Sequence, residues 1–143
     1  MNGWLLDTNV LSEVRKPRCD PHVLAWVEAQ APDSLFVSCV ALAEIRFGIE
    51  CLPLSDPRRT ELRAWLDGTL RAWFAHRVLD VTEDVIVAWR RLVQAARGRG
   101  TTPPEPDCLI AATAAVHDLR VVTRNTADFA AIGVPALNPW EAA

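Results

Sequence analysis

The chain has 143 residues, is 50% hydrophobic and carries a formal net charge of −3. That length fits one domain, residues 1–143, with a real core, and the composition excludes a disordered chain. No apolar stretch is long enough for a bilayer, no basic n-region or cleavage site marks a signal peptide, and a chain holding nucleic acid mainly by charge would be basic.

The elements alternate along the chain. The apolar run Gly3-Trp4-Leu5-Leu6, closed by Asp7-Thr8-Asn9, predicts a buried strand with Asp7 at its carboxyl end. In open α/β sheets that edge binds ligands, although Asp7 can equally cap the helix that follows. That helix stops near Lys16-Pro17, and Asp20-Pro21 opens another through about Gln30. A turn at Ala31-Pro32-Asp33 precedes a second buried strand, Ser34 to Val37, and a helix from about Val40 to Cys51. Pro53 to Pro57 breaks it, and Asp56-Pro57 starts a longer amphipathic helix toward Ala75. Arg77 to Val81 is a third strand, and Thr82 caps a helix to about Arg97. After a Gly/Pro-rich loop come an alanine-rich helix, Pro106 to His117, and a fourth strand, Leu119 to Thr123. A short helix at Asn125 to Phe129 and a short strand at Val134 to Leu137 close the chain. Strands alternating with helices predict a mainly parallel sheet of four to five strands, covered on both faces.

Glu44 lies on one helical stripe with Val40, Phe47 and Cys51, while Leu42, Ile45 and Ile49 form a second apolar stripe. An acid on an apolar face must be paired with an arginine, hydrogen-bonded or bound to a metal. Asp107 falls in the first turn of the alanine-rich helix, where an acid complements the helix dipole. Asp128 follows the fourth strand, just beyond its carboxyl edge; alone it reads as an exposed turn acid. Cys19, Cys39, Cys51 and Cys108 are scattered, most of them read as small buried thiols, and no histidine has ligand spacing to them. A reducing cytoplasm is the expected compartment. The arginine pairs and clusters (Arg58-Arg59-Arg63, Arg90-Arg91, Arg97-Arg99) read as solvated helix faces that permit a nucleic-acid partner.

Taken together, Asp7, Asp107 and Asp128 follow or face strand ends, and Glu44 projects from an apolar helix face. Converging carboxylates without cationic partners repel one another, and a divalent ion resolves that repulsion. Oxygen-only ligands suit Mg²⁺ or Mn²⁺, the arrangement metal-assisted phosphodiester hydrolysis needs.

At this point the sequence resembles a known family. Leu5-Leu6-Asp7-Thr8-Asn9-Val10-Leu11-Ser12-Glu13 resembles the opening of PIN-domain toxins of the VapC type, especially the FitB-like branch. Ala43-Glu44-Ile45-Arg46-Phe47-Gly48-Ile49, Asp107-Cys108-Leu109-Ile110-Ala111-Ala112, Val122-Thr123-Arg124-Asn125-Thr126-Ala127-Asp128-Phe129 and Leu137-Asn138-Pro139-Trp140 follow in the family order. The resemblance implies a Rossmann-like three-layer α/β sandwich. It implies a Mg²⁺- or Mn²⁺-dependent endoribonuclease acting on RNA, tRNA included, usually homodimeric, with no membrane partner. A cognate VapB-like antitoxin would hold it inactive, offering a basic side chain to the acidic rim. By position, Asp7, Glu44 and Asp107 match the family's catalytic and metal-binding acids; Thr8, Asn9, Thr123 and Asn125 support them. The fourth acid departs from one family pattern, which has Asp where this chain has Asn125. Asp128 is the first choice for that position.

Two other readings compete. Phosphotransfer domains of haloacid-dehalogenase or receiver type also place Asp at a first strand end. The former needs a second Asp where this chain has Asn9, and both use a lysine from a later strand; Lys16, the one lysine, comes too early. A catalytically silent PIN domain serving as a binding module is the second, opposed by Asp7, Glu44 and Asp107 and left open by Asn125.

Overall fold

Five short strands form one all-parallel sheet in the order β3-β2-β1-β4-β5, in a computed structural model that describes residues 3–141. They are β1 (Trp4–Leu6), β2 (Leu35–Ser38), β3 (Val78–Leu79), β4 (Arg120–Val122) and β5 (Ala136–Leu137). The middle strand, β1, sets Leu5 between Phe36 and Val121 and Leu6 beside Val122. Neighbouring residues of a strand point to opposite faces, yet Leu5 and Leu6 are both buried, as are Val121 and Val122. Helices therefore cover both faces, which is why these strands read as continuous apolar runs.

The helices are α1 (Thr8–Arg15), α2 (Pro21–Ala29), α3 (Cys39–Glu50), α4 (Arg58–Ala64), α5 (Arg71–Trp73), α6 (Glu83–Gly98), α7 (Glu105–Val116) and α8 (Thr126–Ile132). Their starts obey local chemistry. Asp20 accepts hydrogen bonds from the His22 and Val23 amides ahead of Pro21, Ser38 caps α3 through the Val40 amide, and Thr82 caps α6 through the Val85 amide. Gly133, at φ 90°, ends α8 in the left-handed conformation that favours glycine. Gly3 is required for a different reason: a Cβ there would lie 2.7 Å from the Ser34 carbonyl oxygen on the way into β2.

The long helix expected toward Ala75 is interrupted. Between α4 and α5, residues Trp65–Leu70 take a π-helical turn, which still directs Leu66, Leu70 and Phe74 into the core. The Arg77 guanidinium then donates to the carbonyls of Pro32, Leu35 and Trp73, tying the edge strand to the turn before β2. Of the thiols expected to be buried, Cys108 is, Cys19 and Cys39 are half-buried, and Cys51 is exposed beyond the end of α3. Among the described residues, no helix is long and apolar enough to cross a membrane.

Candidate active site

The parallel sheet puts the carboxyl ends of β1 and β4 side by side, and Asp7 leaves that edge. Its backbone is fixed on two sides: the amide donates to the Val122 carbonyl at 2.9 Å, and the carbonyl accepts from the Val10 and Leu11 amides that begin α1. The side chain is fixed as well. Oδ1 accepts from the Thr8 amide at 2.8 Å, and Oδ2 accepts from the Thr123 hydroxyl at 2.8 Å. Asp7 is thus both the cap of α1 and a buried carboxylate of the strand edge; the two roles use different oxygens.

Thr123 is wholly buried and carries more of the site than its place in the sequence suggests. Besides donating to Asp7, its Oγ1 accepts from Asn9 Nδ2 at 3.2 Å and from the Asn125 amide at 3.0 Å. One donor and two lone pairs are all that a hydroxyl has, so its capacity is filled. Asn9 Oδ1 in turn accepts from the Arg124 amide at 3.3 Å, joining α1 to the loop after β4. Across the site, the Thr8 hydroxyl donates to Glu44 Oε1 at 3.2 Å. Thr8, Asn9, Thr123 and Asn125 therefore surround Asp7, with Glu44 reached through Thr8.

Asp107 and Asp128 complete the group through their fields. Burial pushes the Asp107 carboxyl up to about 6, and the charges of Asp7, Asp128 and Glu44 push the same way. Burial also raises Asp7; hydrogen bonds from Thr123 and Thr8 oppose the shift, and the Asp128 charge adds to it. Glu44, though exposed, is raised by local desolvation first and by the Asp7 charge, against the Thr8 hydrogen bond. Among the described residues none of the four acids makes an ion pair. The Glu44–arginine pairing open from sequence is absent: Arg46 pairs with Glu50 at 3.4 Å. Nearby, the Arg124 guanidinium lies over the Trp140 ring, 5.1 Å from its centroid.

A donor set of carboxylate oxygens, with hydroxyl and amide oxygens beside them and no ion pair to the acids among the described residues, fits a hard divalent ion such as Mg²⁺ or Mn²⁺. As the side chains stand, no three His, Cys, Asp or Glu side chains among the described residues converge closely enough to ligate one ion.

The stripe bearing Glu44 faces outward: Val40 is half-buried, Glu44 and Cys51 are exposed, and Phe47 is 68% exposed. The opposite stripe is the packed one, with Leu42 and Ile49 buried and Ile45 half-buried against the core. Periodicity identified two apolar stripes; only the tertiary fold selects which is covered. Glu13 of the opening motif is buried but engaged elsewhere, accepting from the Asp20 amide at 2.9 Å and from Lys16 at 3.1 Å. Sequence reasoning did not single out Ser38 or Arg124; a hydroxyl at a strand end before a helix was the available signal for the first.

Comparison with known proteins places this geometry. Residues 4–135 match the PIN domain. The chain is 40% identical over 139 residues to a Sinorhizobium fredii protein named VapC ribonuclease Y4jK, a match covering 97% of this chain and 99% of that one. It is 35% identical to Toxin FitB of Neisseria gonorrhoeae over 95% of this chain and 97% of the relative. The crystal structure of FitAcB from the same organism superposes with a TM-score of 0.88 at 34% identity, over 96% of this chain and 99% of that one.

Proposed function

The chain belongs to the PIN-domain family, and from that premise we propose that it is the toxin of a toxin–antitoxin pair. In this reading it is an endoribonuclease that hydrolyses RNA phosphodiester bonds in the cytoplasm with Mg²⁺ or Mn²⁺. Residues 1–143 act as one domain, and a cognate VapB-like antitoxin restrains it. The observation that carries the reading is the group of four acids at one sheet edge, with no cation paired to them among the described residues. The names of the relatives support the choice of RNA as substrate and of a toxin's role.

Asp7, Glu44, Asp107 and Asp128 are the residues proposed to hold the ion, directly or through water. When bound, the ion supplies positive charge to the phosphodiester and acidity to the attacking water. The chain's own contribution is placement. Thr123 and the Thr8 amide fix the Asp7 carboxylate by both oxygens, Asn9 ties Thr123 to the loop after β4, and Thr8 orients Glu44. An antitoxin offering a basic side chain to this rim would relieve the same repulsion as the ion.

Homodimerisation is proposed too, through an apolar surface left exposed on α6. Leu42, Ile49 and Leu66 are buried within the chain, whereas Ile86 and Val87 on α6 are exposed apolar neighbours. A two-fold contact would use that patch on both copies.

Purified protein freed of antitoxin should cleave single-stranded or loop RNA with Mg²⁺ or Mn²⁺ and not with EDTA. Asp7→Asn keeps the shape and removes the charge, and because its amide nitrogen cannot accept, it keeps only one of the two hydrogen bonds; cleavage should fall by about 100-fold with folding retained. Equal cleavage by wild type and Asp7→Asn, in preparations free of contaminating nuclease, would refute the reading.

A further inference from the structure

Beside the acids, α3 and the start of α7 enclose a groove of about 420 Å³ that the reaction as described does not use. Val40, Phe47, Pro106 and Leu109 give it apolar walls, and Glu44 and Glu105 stand on its rim. Glu44 belongs to both the groove and the acid group, and Pro106 immediately precedes Asp107. Whatever fills the groove therefore lies against the proposed reaction centre.

Phe47 is the unusual element. It is 68% exposed, and among the described residues its ring meets no other ring and no arginine. It follows Glu44 by three residues on one helix, so the two side chains are neighbours on the same surface. No cation lines the groove and two carboxylates flank it, which disfavours a phosphate inside. An uncharged, flat, apolar-faced group suits it, and unstacked bases of single-stranded RNA are such groups, commonly held on exposed aromatic rings.

We propose that this groove is a nucleobase subsite, in which Phe47 stacks on one unpaired base of the RNA next to the phosphate that lies over the acids. The inference rests on the ribonuclease reading and adds to it a substrate-positioning residue, selecting single-stranded over paired RNA because only an unstacked base can reach the ring.

The test uses the full chain, wild type and Phe47→Ala, Phe47→Leu and Phe47→Trp, with single-stranded RNA oligonucleotides carrying 2-aminopurine at successive positions. Because Phe47 is exposed, all three variants should fold. Wild type and Phe47→Trp should quench 2-aminopurine at one position; Phe47→Ala and Phe47→Leu should not, since leucine keeps the apolar bulk but has no ring. In cleavage, Phe47→Ala should raise KM for RNA by about 5- to 150-fold, the loss of one base–aromatic stack, with kcat nearly held. Unchanged quenching and KM in Phe47→Ala would overturn the subsite while wild-type cleavage keeps the ribonuclease reading. So would conversion of a dimer to a monomer by Phe47→Ala in sedimentation, which would make this face a contact between copies. Quenching that depends on Phe47 in a protein that cleaves no RNA would support the subsite and refute the ribonuclease reading.

Discussion

The Thr123 hydroxyl donates to Asp7 Oδ2 at 2.8 Å, joining two buried residues 116 positions apart in the chain. The contact is possible because β1 and β4 are parallel neighbours in register, with Leu6 beside Val122, so the residue after each strand meets its counterpart.

Thr123→Val removes the hydroxyl at constant shape and leaves Asp7 Oδ2, Asn9 Nδ2 and the Asn125 amide each without that partner. Urea denaturation should show a loss of about 1–3 kcal/mol. Cleavage should fall as well, because Asp7 keeps only the Thr8 amide to hold it. Thr123→Ser should recover most of both. A Thr123→Val protein as stable and active as wild type would mean that the hydroxyl does not position Asp7.

Asp107 makes stability depend on pH in a defined direction. Its carboxyl sits at about 6 in the folded chain against an ordinary 3.8, through burial first and the neighbouring acids second. Below pH 3.8 it is neutral in both folded and unfolded chains. As pH rises toward 6 the unfolded chain gives up its proton first, and the stabilisation held by the protonated folded form is lost. Asp107→Asn stays neutral, so its melting temperature should match wild type at acid pH and exceed it increasingly up to neutrality. Mg²⁺ should raise the wild-type melting temperature at neutral pH and raise that of Asp107→Asn less. A gap between the two proteins that does not change with pH would contradict this.

The fourth acid can be assigned by metal titration. Asp128 is exposed in the first turn of α8, yet its charge reaches both Asp7 and Asp107. Asn125 contributes its backbone amide to Thr123, a contact that survives any side-chain change. Asp128→Asn should raise the Mg²⁺ concentration for half-maximal cleavage by about tenfold, within the range for loss of a supporting ligand. Asn125→Ala should shift it little, and Asn125→Asp should be tolerated. An inactive Asn125→Ala beside a wild-type-like Asp128→Asn would move the fourth position to Asn125.

Assembly can be tested on α6. Replacing the exposed apolar pair in Ile86→Glu/Val87→Glu should yield a monomer at micromolar concentration where wild type sediments as a dimer, without loss of helix content. A double variant that still dimerises would place the contact elsewhere.

Sequence alone located the strands and helices to within a few residues, because apolar runs, caps and prolines are local signals. Asp20 and Thr82 cap the helices that follow them, and Lys16-Pro17 closes α1. The orientation of α3 was not legible. Its two apolar stripes are similar in composition, and the choice between Leu42/Ile49 and Val40/Phe47 is made by what the sheet and α4 present. The π-helical turn at Trp65–Leu70 left no periodicity signal either. The acids were legible as candidates because each sits at a strand end or in a first turn. The part of Thr123 as a three-way hydrogen-bond centre was not, since it depends on strand register.

The all-parallel sheet also fixes when in the chain's synthesis its acidic edge can come into being. β1 is made first, but the Val122 carbonyl that anchors the Asp7 amide and the Thr123 hydroxyl that holds its side chain are made more than a hundred residues later. Chains grow from the amino terminus, so Asp7 has neither anchor until β4 is available to pair. Trp140, whose ring lies under Arg124 beside the same edge, comes later still. A growing chain that ends before β4 lacks this assembled edge; on the function proposed above, the interval in which a restraining partner would act therefore opens near the end of translation.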